Sequence, residues 1–188
     1  VIAVVALIAV VVQRAVMPGV DHVARLSIDG FIAEDADREQ VIDALYDDEH
    51  AKAVIVRINS PGGTTTGSEE IYLALRRIAD RKPVVAVIGT LGASGGYIVA
   101  LGADRIYARE TSITGSIGVL FQTAEFTELL KKVGVTTESL KSSPLKGQPT
   151  PLEPMSEDVR EAMRALLNDS FVWFRELVAE RRDLQLSL

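Results

Sequence analysis

The chain has 188 residues, 47% of them hydrophobic, with a net charge of −6, two histidines and no cysteine. That length suits one domain with a small appendage, and the apolar share excludes global disorder. The missing cysteines exclude disulfides, thiolate metal sites and cysteine catalysis, while the acidic balance argues against a nucleic-acid partner held through its phosphates.

Residues 1–12, VIAVVALIAVVV, form an unbroken apolar run. As a helix it would span about 18 Å at ~1.5 Å per residue, short of the roughly 30 Å hydrocarbon core of a bilayer. The chain starts with Val1 and the run stops at Gln13-Arg14. We therefore read residues 1–17 as the trailing part of a truncated membrane anchor, with a buried strand or the apolar region of a cleavable signal as the competing readings. Pro18-Gly19 opens the globular part, residues 18–188.

Strand and helix patterns then alternate. Val23–Ile28 is a strand candidate. Asp37–Asp48 has apolar residues at 41, 42 and 45, a helical spacing. The stretch Glu34–Glu49 holds eight carboxylates against Arg38 alone and reads as a solvated helix face rather than a metal or partner site. Ala53–Ile58 is β-rich, and Gly67–Asp80 puts Ile71, Leu75 and Ile78 on one helical face. Val84–Ile88 is a continuous apolar run, as expected of a strand covered on both faces. A short helix over Gly95–Leu101 follows, then short strands over Arg105–Ala108 and Ile117–Phe121. Ala124–Lys132 reads as a helix and Val135–Leu140 as a last strand. Ser142–Pro154 holds four prolines and no periodicity, so it is a loop. Ser156 caps a long helix to about Arg182, with Glu157 and Asp158 in its first turn. Phe171, Trp173 and Phe174 on that helix are expected to pack in the core, with a subunit contact as the second reading. Repeated β–loop–α units predict an α/β fold with a mainly parallel sheet.

Two glycine-rich turns follow two of the strands. In Asn59-Ser60-Pro61-Gly62-Gly63, proline fixes one φ and the glycines allow positive φ, so consecutive amides can converge as in an oxyanion hole or an anion nest. No Gly-Lys-Ser/Thr follows, which excludes a P-loop. In the second turn, Ser94 is flanked by Gly92, Ala93, Gly95 and Gly96. Small neighbours permit a strained strand-to-helix turn and let a carbonyl approach the hydroxyl, as in a nucleophile elbow, although GxSxG is not matched. The plain alternative for Ser94 is a helix N-cap. A nucleophilic serine needs a base. His22 and His50 lie away from the strand C-termini where α/β sites gather. Among six lysines, Lys52 and Lys82 precede strands and Lys131 and Lys132 end a helix, which leaves Lys141 and Lys146 in or beside the Pro-rich loop. A lysine base must lose its proton far below the reference pKa of about 10.4, which burial without an acidic partner achieves.

At these residues the chain resembles the signal peptide peptidase A family, membrane-anchored Ser-Lys peptidases. The matching pieces are NSPGG (59–63), GASGGY (92–97), ADRIYA (103–108), TGSIGV (114–119) and KSSPLKG (141–147), in that order, within a likeness running from about Val23 to Arg182. The resemblance implies the Clp protease/crotonase-like fold, Ser94 as nucleophile and Lys146 as general base. Ser116 would orient the lysine amine. The Gly62/Gly63 turn and the Gly95 amide would form the oxyanion hole. It further implies a homo-oligomer in which Ser and Lys can come from neighbouring subunits. A single-pass anchor in the cytoplasmic membrane would hold the catalytic domain on the extracytoplasmic side. Hydrophobic peptides, signal-peptide remnants among them, would be the substrates, with no metal or nucleotide cofactor and no nucleic acid. Family members continue into a further strand, so the domain is expected to be incomplete at its C-terminus. Two other classes compete: a crotonase-type acyl-CoA enzyme, which would need a phosphate site and a carboxylate acid/base, and a catalytically inactive membrane scaffold.

Overall fold

Four strands, β1 (His22–Ile32), β2 (Ala51–Gly63), β3 (Val84–Ala93) and β4 (Arg105–Tyr107), make the sheet in that order, with β5 (Ile113–Gly115) paired to a later stretch of β3. The computed structural model describes residues 19–185. The proposed anchor over residues 1–17 lies outside them, and among the described residues no helix is long and apolar enough to cross a membrane.

Strand β1 is His22–Ile32 and β2 is Ala51–Gly63. They pair in parallel, as do β2 and β3 (Val84–Ala93). Arg105–Tyr107 (β4) and Ile113–Gly115 (β5) occupy successive lengths of one β3 edge, both in parallel. Parallel neighbours need crossovers, which helices α1 (Ala36–Asp47), α2 (Thr65–Ala79) and α3 (Gly95–Leu101) supply. Asp35 caps α1 by accepting from the amides of Asp37 and Arg38, and Thr64 caps α2 by accepting from Gly67.

Alternation along β2 buries Val54, Val56 and Ile58 beneath Ile71, Leu75 and Ile78 of α2 and Val99 of α3. The opposite sheet face carries Val23, Ile55 and Val87, all exposed. The expected two-sided cover of Val84–Ile88 is therefore absent among the described residues. Burial alternates because α1, α2 and α3 share one apolar cluster with a single face of the sheet.

Beyond Asp104 the chain behaves differently. No residue from Asp104 to Asp158 is buried. The strands expected over Ile117–Phe121 and Val135–Leu140 are absent. Strand propensity alone makes no ladder, and the pairing falls instead on Ile113–Gly115. Helix α4 is confined to Thr127–Lys132, and the Pro-rich segment is a loop. Helix α5, Glu157–Arg182, starts at Ser156, whose hydroxyl accepts from the Val159 amide. Its C-terminal half packs Phe174, Leu177 and Val178 on Ile98 and Leu101 of α3. Arg181 fastens it by donating to the carbonyls of Leu101 and Ala103.

Candidate active site

The C-terminal ends of β2 and β3 meet at two glycine turns: the first closes β2 at Gly63, and the second runs from Ala93 at the end of β3 through Ser94 into α3. At Gly62 φ is +106°, and a Cβ there would lie 2.7 Å from the Gly95 nitrogen and 2.9 Å from the Ser94 Cβ. Only glycine permits that approach. The turns are thus in direct contact.

Ser94 has φ 52° and ψ −121°, and its side chain makes no capping hydrogen bond. Ser94 thus stands at the N-cap position of α3 without its hydroxyl capping the helix. A non-glycine residue at positive φ costs about 1–3 kcal/mol and persists only where its surroundings enforce it. Here they do: the Ser94 amide donates to the Gly115 carbonyl at 2.8 Å, and its own carbonyl accepts from Tyr97 and Ile98 at 2.8 and 3.0 Å. Ser116, one residue beyond that Gly115 acceptor, also sits at positive φ, 54°. The hydroxyl of Ser94 has no hydrogen-bond partner among the described residues and opens into a cleft of about 760 Å³ that Ser116 also lines.

The three glycine amides differ. Gly62 donates to the Ser60 hydroxyl at 3.0 Å and so is already engaged. The Gly63 nitrogen lies against the start of α3, where a Cβ on Gly95 would be 3.1 Å from it. The backbones of Gly62, Gly63 and Gly95 thus meet next to Ser94. The cleft walls are apolar: Phe31, Ile98, Leu120, Trp173 and Phe174. The aromatic trio of α5 is split accordingly, with Phe174 in the core, Trp173 half-buried on the cleft and Phe171 exposed.

The lysines sort clearly. Lys52 pairs with Asp21 at 3.3 Å, and Lys131 with Glu128 at 2.8 Å. Lys82 is buried and donates to the carbonyls of Leu45 and Asp48 at the end of α1. Lys141 pairs with Glu153 at 2.5 Å, and that hydrogen bond holds the Glu153 carboxyl below the usual carboxylate range. Glu153 is the acid nearest to Lys146 in the following sequence, and its carboxylate is taken up by Lys141 and Gln148. Lys146 itself is exposed, forms no ion pair among the described residues and is not among the residues lining the cleft. Neither histidine reaches the site: His22 lies 3.5 Å from Asp48 and His50 3.2 Å from Asp21, at the other end of the strands. Among the described residues no cluster of His, Asp or Glu could hold a metal. Thr64, Thr65 and Trp173 also line the cleft. Sequence reasoning missed them as site residues because their membership follows from how α2 and α5 pack.

A family model described as peptidase family S49 matches residues 76–187. A "Putative protease" of Synechocystis sp. is 38% identical over 164 residues, covering 86% of this chain and 59% of the relative. Protease 4 of Haemophilus influenzae is 32% identical over 146 residues, 77% of this chain and 24% of its own. The chloroplastic serine protease SPPA of Arabidopsis thaliana is 36% identical over 132 residues, 65% of this chain and 19% of its own. The chain thus spans only 19% to 59% of the length of these curated relatives. Among solved structures, a ClpP1 mutant of Listeria monocytogenes superposes with a TM-score of 0.50 at 13% identity, over 86% of this chain and 73% of that one. That likeness carries the Clp protease fold.

Proposed function

The chain belongs to peptidase family S49, and on that footing we propose that it is a serine endopeptidase in which Ser94 is the nucleophile and Lys146 the general base. The observation that carries this reading is the strained Ser94 turn, its hydroxyl unpartnered, beside the Gly63 and Gly95 amides at the mouth of an apolar cleft. In the reaction, the Ser94 oxygen attacks the scissile carbonyl as its proton passes to the uncharged Lys146 amine. The Gly63 and Gly95 amides receive the oxyanion. Collapse expels the amine, protonated by the lysine, and leaves an acyl-enzyme that water hydrolyses. Ser116, on the same cleft, orients the amine.

Lys146 works as a base only in a dry, carboxylate-free setting. Among the described residues it forms no ion pair, in keeping with the second condition. Its exposure in one protomer leaves the first to a second copy. We therefore propose a homo-oligomer with the dyad assembled near subunit interfaces. The apolar residues left uncovered beyond Asp104, among them Leu120, Leu129, Val133 and Leu140, support it. The apolar cleft favours hydrophobic peptides, signal-peptide remnants included, and residues 1–17 would tether the enzyme to the membrane with its domain on the extracytoplasmic side. Among the described residues no lysine or arginine lines the cleft, so none of them there would hold the phosphates that the acyl-CoA alternative needs.

The test is a fluorophosphonate probe and an apolar fluorogenic peptide applied to the full chain. Labelling at Ser94 and cleavage that vanishes in Ser94→Ala are expected. Unlabelled Ser94, or full cleavage by Ser94→Ala, would favour the inactive scaffold or another site.

A further inference from the structure

One fully buried hydroxyl sits behind the glycine turn. Ser60 is 0% exposed. Its Oγ donates to the Gly30 carbonyl at 2.6 Å and accepts from the Gly62 amide at 3.0 Å. Both bonds repair a break in the sheet. The β1–β2 register shifts between Asp29 and Phe31, with Gly30 at φ +74°, and the β2–β3 register shifts between Ile58 and Ser60. Backbone groups beside such irregularities lose their ladder partners and need others. A serine hydroxyl has one donor and two acceptor sites, so it can serve a carbonyl and an amide together.

The same residue touches the other half of the site. A Cβ on Gly96 would lie 2.8 Å from the Ser60 carbonyl oxygen and 3.2 Å from its Cβ. Ser60 thus contacts α3, the helix that Ser94 leads into, while holding the Gly62 peptide. With the Gly62 amide held by Ser60, the peptide that follows carries the Gly63 nitrogen against the start of α3, where a Cβ on Gly95 would lie 3.1 Å from it.

We propose that Ser60 is a positioning residue for the oxyanion hole: its buried hydroxyl anchors the Gly62 peptide to Gly30 and thereby aims the Gly63 amide at the developing oxyanion. This rests on the peptidase reading above. Ser60 touches no substrate, so its loss lowers transition-state stabilisation and leaves ground-state binding intact.

The experiment compares the full-length wild type, Ser60→Ala, Ser60→Cys and Ser94→Ala on an apolar peptide substrate. Two matched inhibitors are measured as well. A peptide aldehyde adds the Ser94 oxygen to its carbonyl carbon, the π pair becoming an oxyanion. The corresponding peptide alcohol offers the same side chains with no carbonyl. Ser60→Ala should lower kcat about ten- to a hundredfold, a misaimed donor costing less than the 10²–10³ of a deleted one. KM should stay within about twofold. Aldehyde affinity should fall in step with kcat while alcohol affinity holds. Ser60→Cys, a weaker donor and acceptor in the same place, should fall between, and it carries the comparison if Ser60→Ala does not fold. Equal losses for aldehyde and alcohol, or unchanged kcat, would overturn the proposal. Undiminished cleavage by Ser94→Ala would remove the peptidase reading itself, and this inference with it.

Discussion

Residues 22–103 and residues 104–158 are built on different principles. The first region closes on itself: β1, β2 and β3 bury alternate side chains under α1, α2 and α3, and Leu75, Val54 and Val56 are wholly enclosed. The second buries nothing, and leaves Leu120 76% and Leu140 94% exposed. The proposed nucleophile ends the first region and the proposed base stands in the second. The strained backbone of Ser94 is fixed by the packed core on one side and by β5, whose Gly115 carbonyl accepts from the Ser94 amide, on the other. A segment without its own core gains a fixed position only against something else. The difference teaches that the turn carrying Ser94 is held by packing within the protomer, whereas the segment carrying Lys146 buries none of its own residues.

The largest effect that could break this contrast is on activity. Ser94→Ala and Lys146→Ala should each lose about 10³-fold or more of peptide cleavage. If base and nucleophile come from different copies, mixing the two inactive variants should restore measurable turnover. A mixture as inactive as its parts would place both groups within one protomer. Next in size is stability. Leu75→Ala should cost about 2–5 kcal/mol and lower Tm, because its site is enclosed on all sides. Leu140→Ser should shift the dilute protomer's stability by only about 0.5 kcal/mol, yet weaken self-association in sedimentation. Equal Tm losses for the two variants would erase the distinction between the regions.

The smallest expected effect sharpens the second region. Glu153, held below its ordinary range mainly by the hydrogen bond from Lys141, ties one end of the Pro-rich loop to the other. A depressed carboxyl contributes above its unfolded pKa and loses that contribution as pH falls through the folded value. Proteolytic nicking of residues 141–153 should therefore stay slow at neutral pH and rise only under acid. In Glu153→Gln it should already be fast at pH 7. Indifference of the nicking rate to both changes would show that the clamp does not order the loop.

Much of the first region was legible because its cues are local. Gly95–Leu101 was read to its ends, and the sharp turns were marked by Gly62, Gly63, Gly95 and Gly96. The strands proved longer than their apolar runs, since β2 and β3 carry their pairing into the glycine turns. Ile117–Phe121 and Val135–Leu140 misled because strand propensity says nothing about a partner, and none of the described strands lies beside them. Ser60 escaped notice for a different reason. A serine before Pro61 looks like ordinary turn chemistry, and only the broken ladders on both sides give its hydroxyl two backbone groups to serve. The exposure of Lys146 was equally invisible, as burial belongs to tertiary and quaternary packing.

Trp173 is the chain's single tryptophan, and its half-buried indole lines the cleft beside Phe174. Any peptide that settles there must change the polarity around that ring. The molecule therefore carries its own optical reporter, and occupancy can be followed as an emission shift in unlabelled protein, even in a variant that turns nothing over.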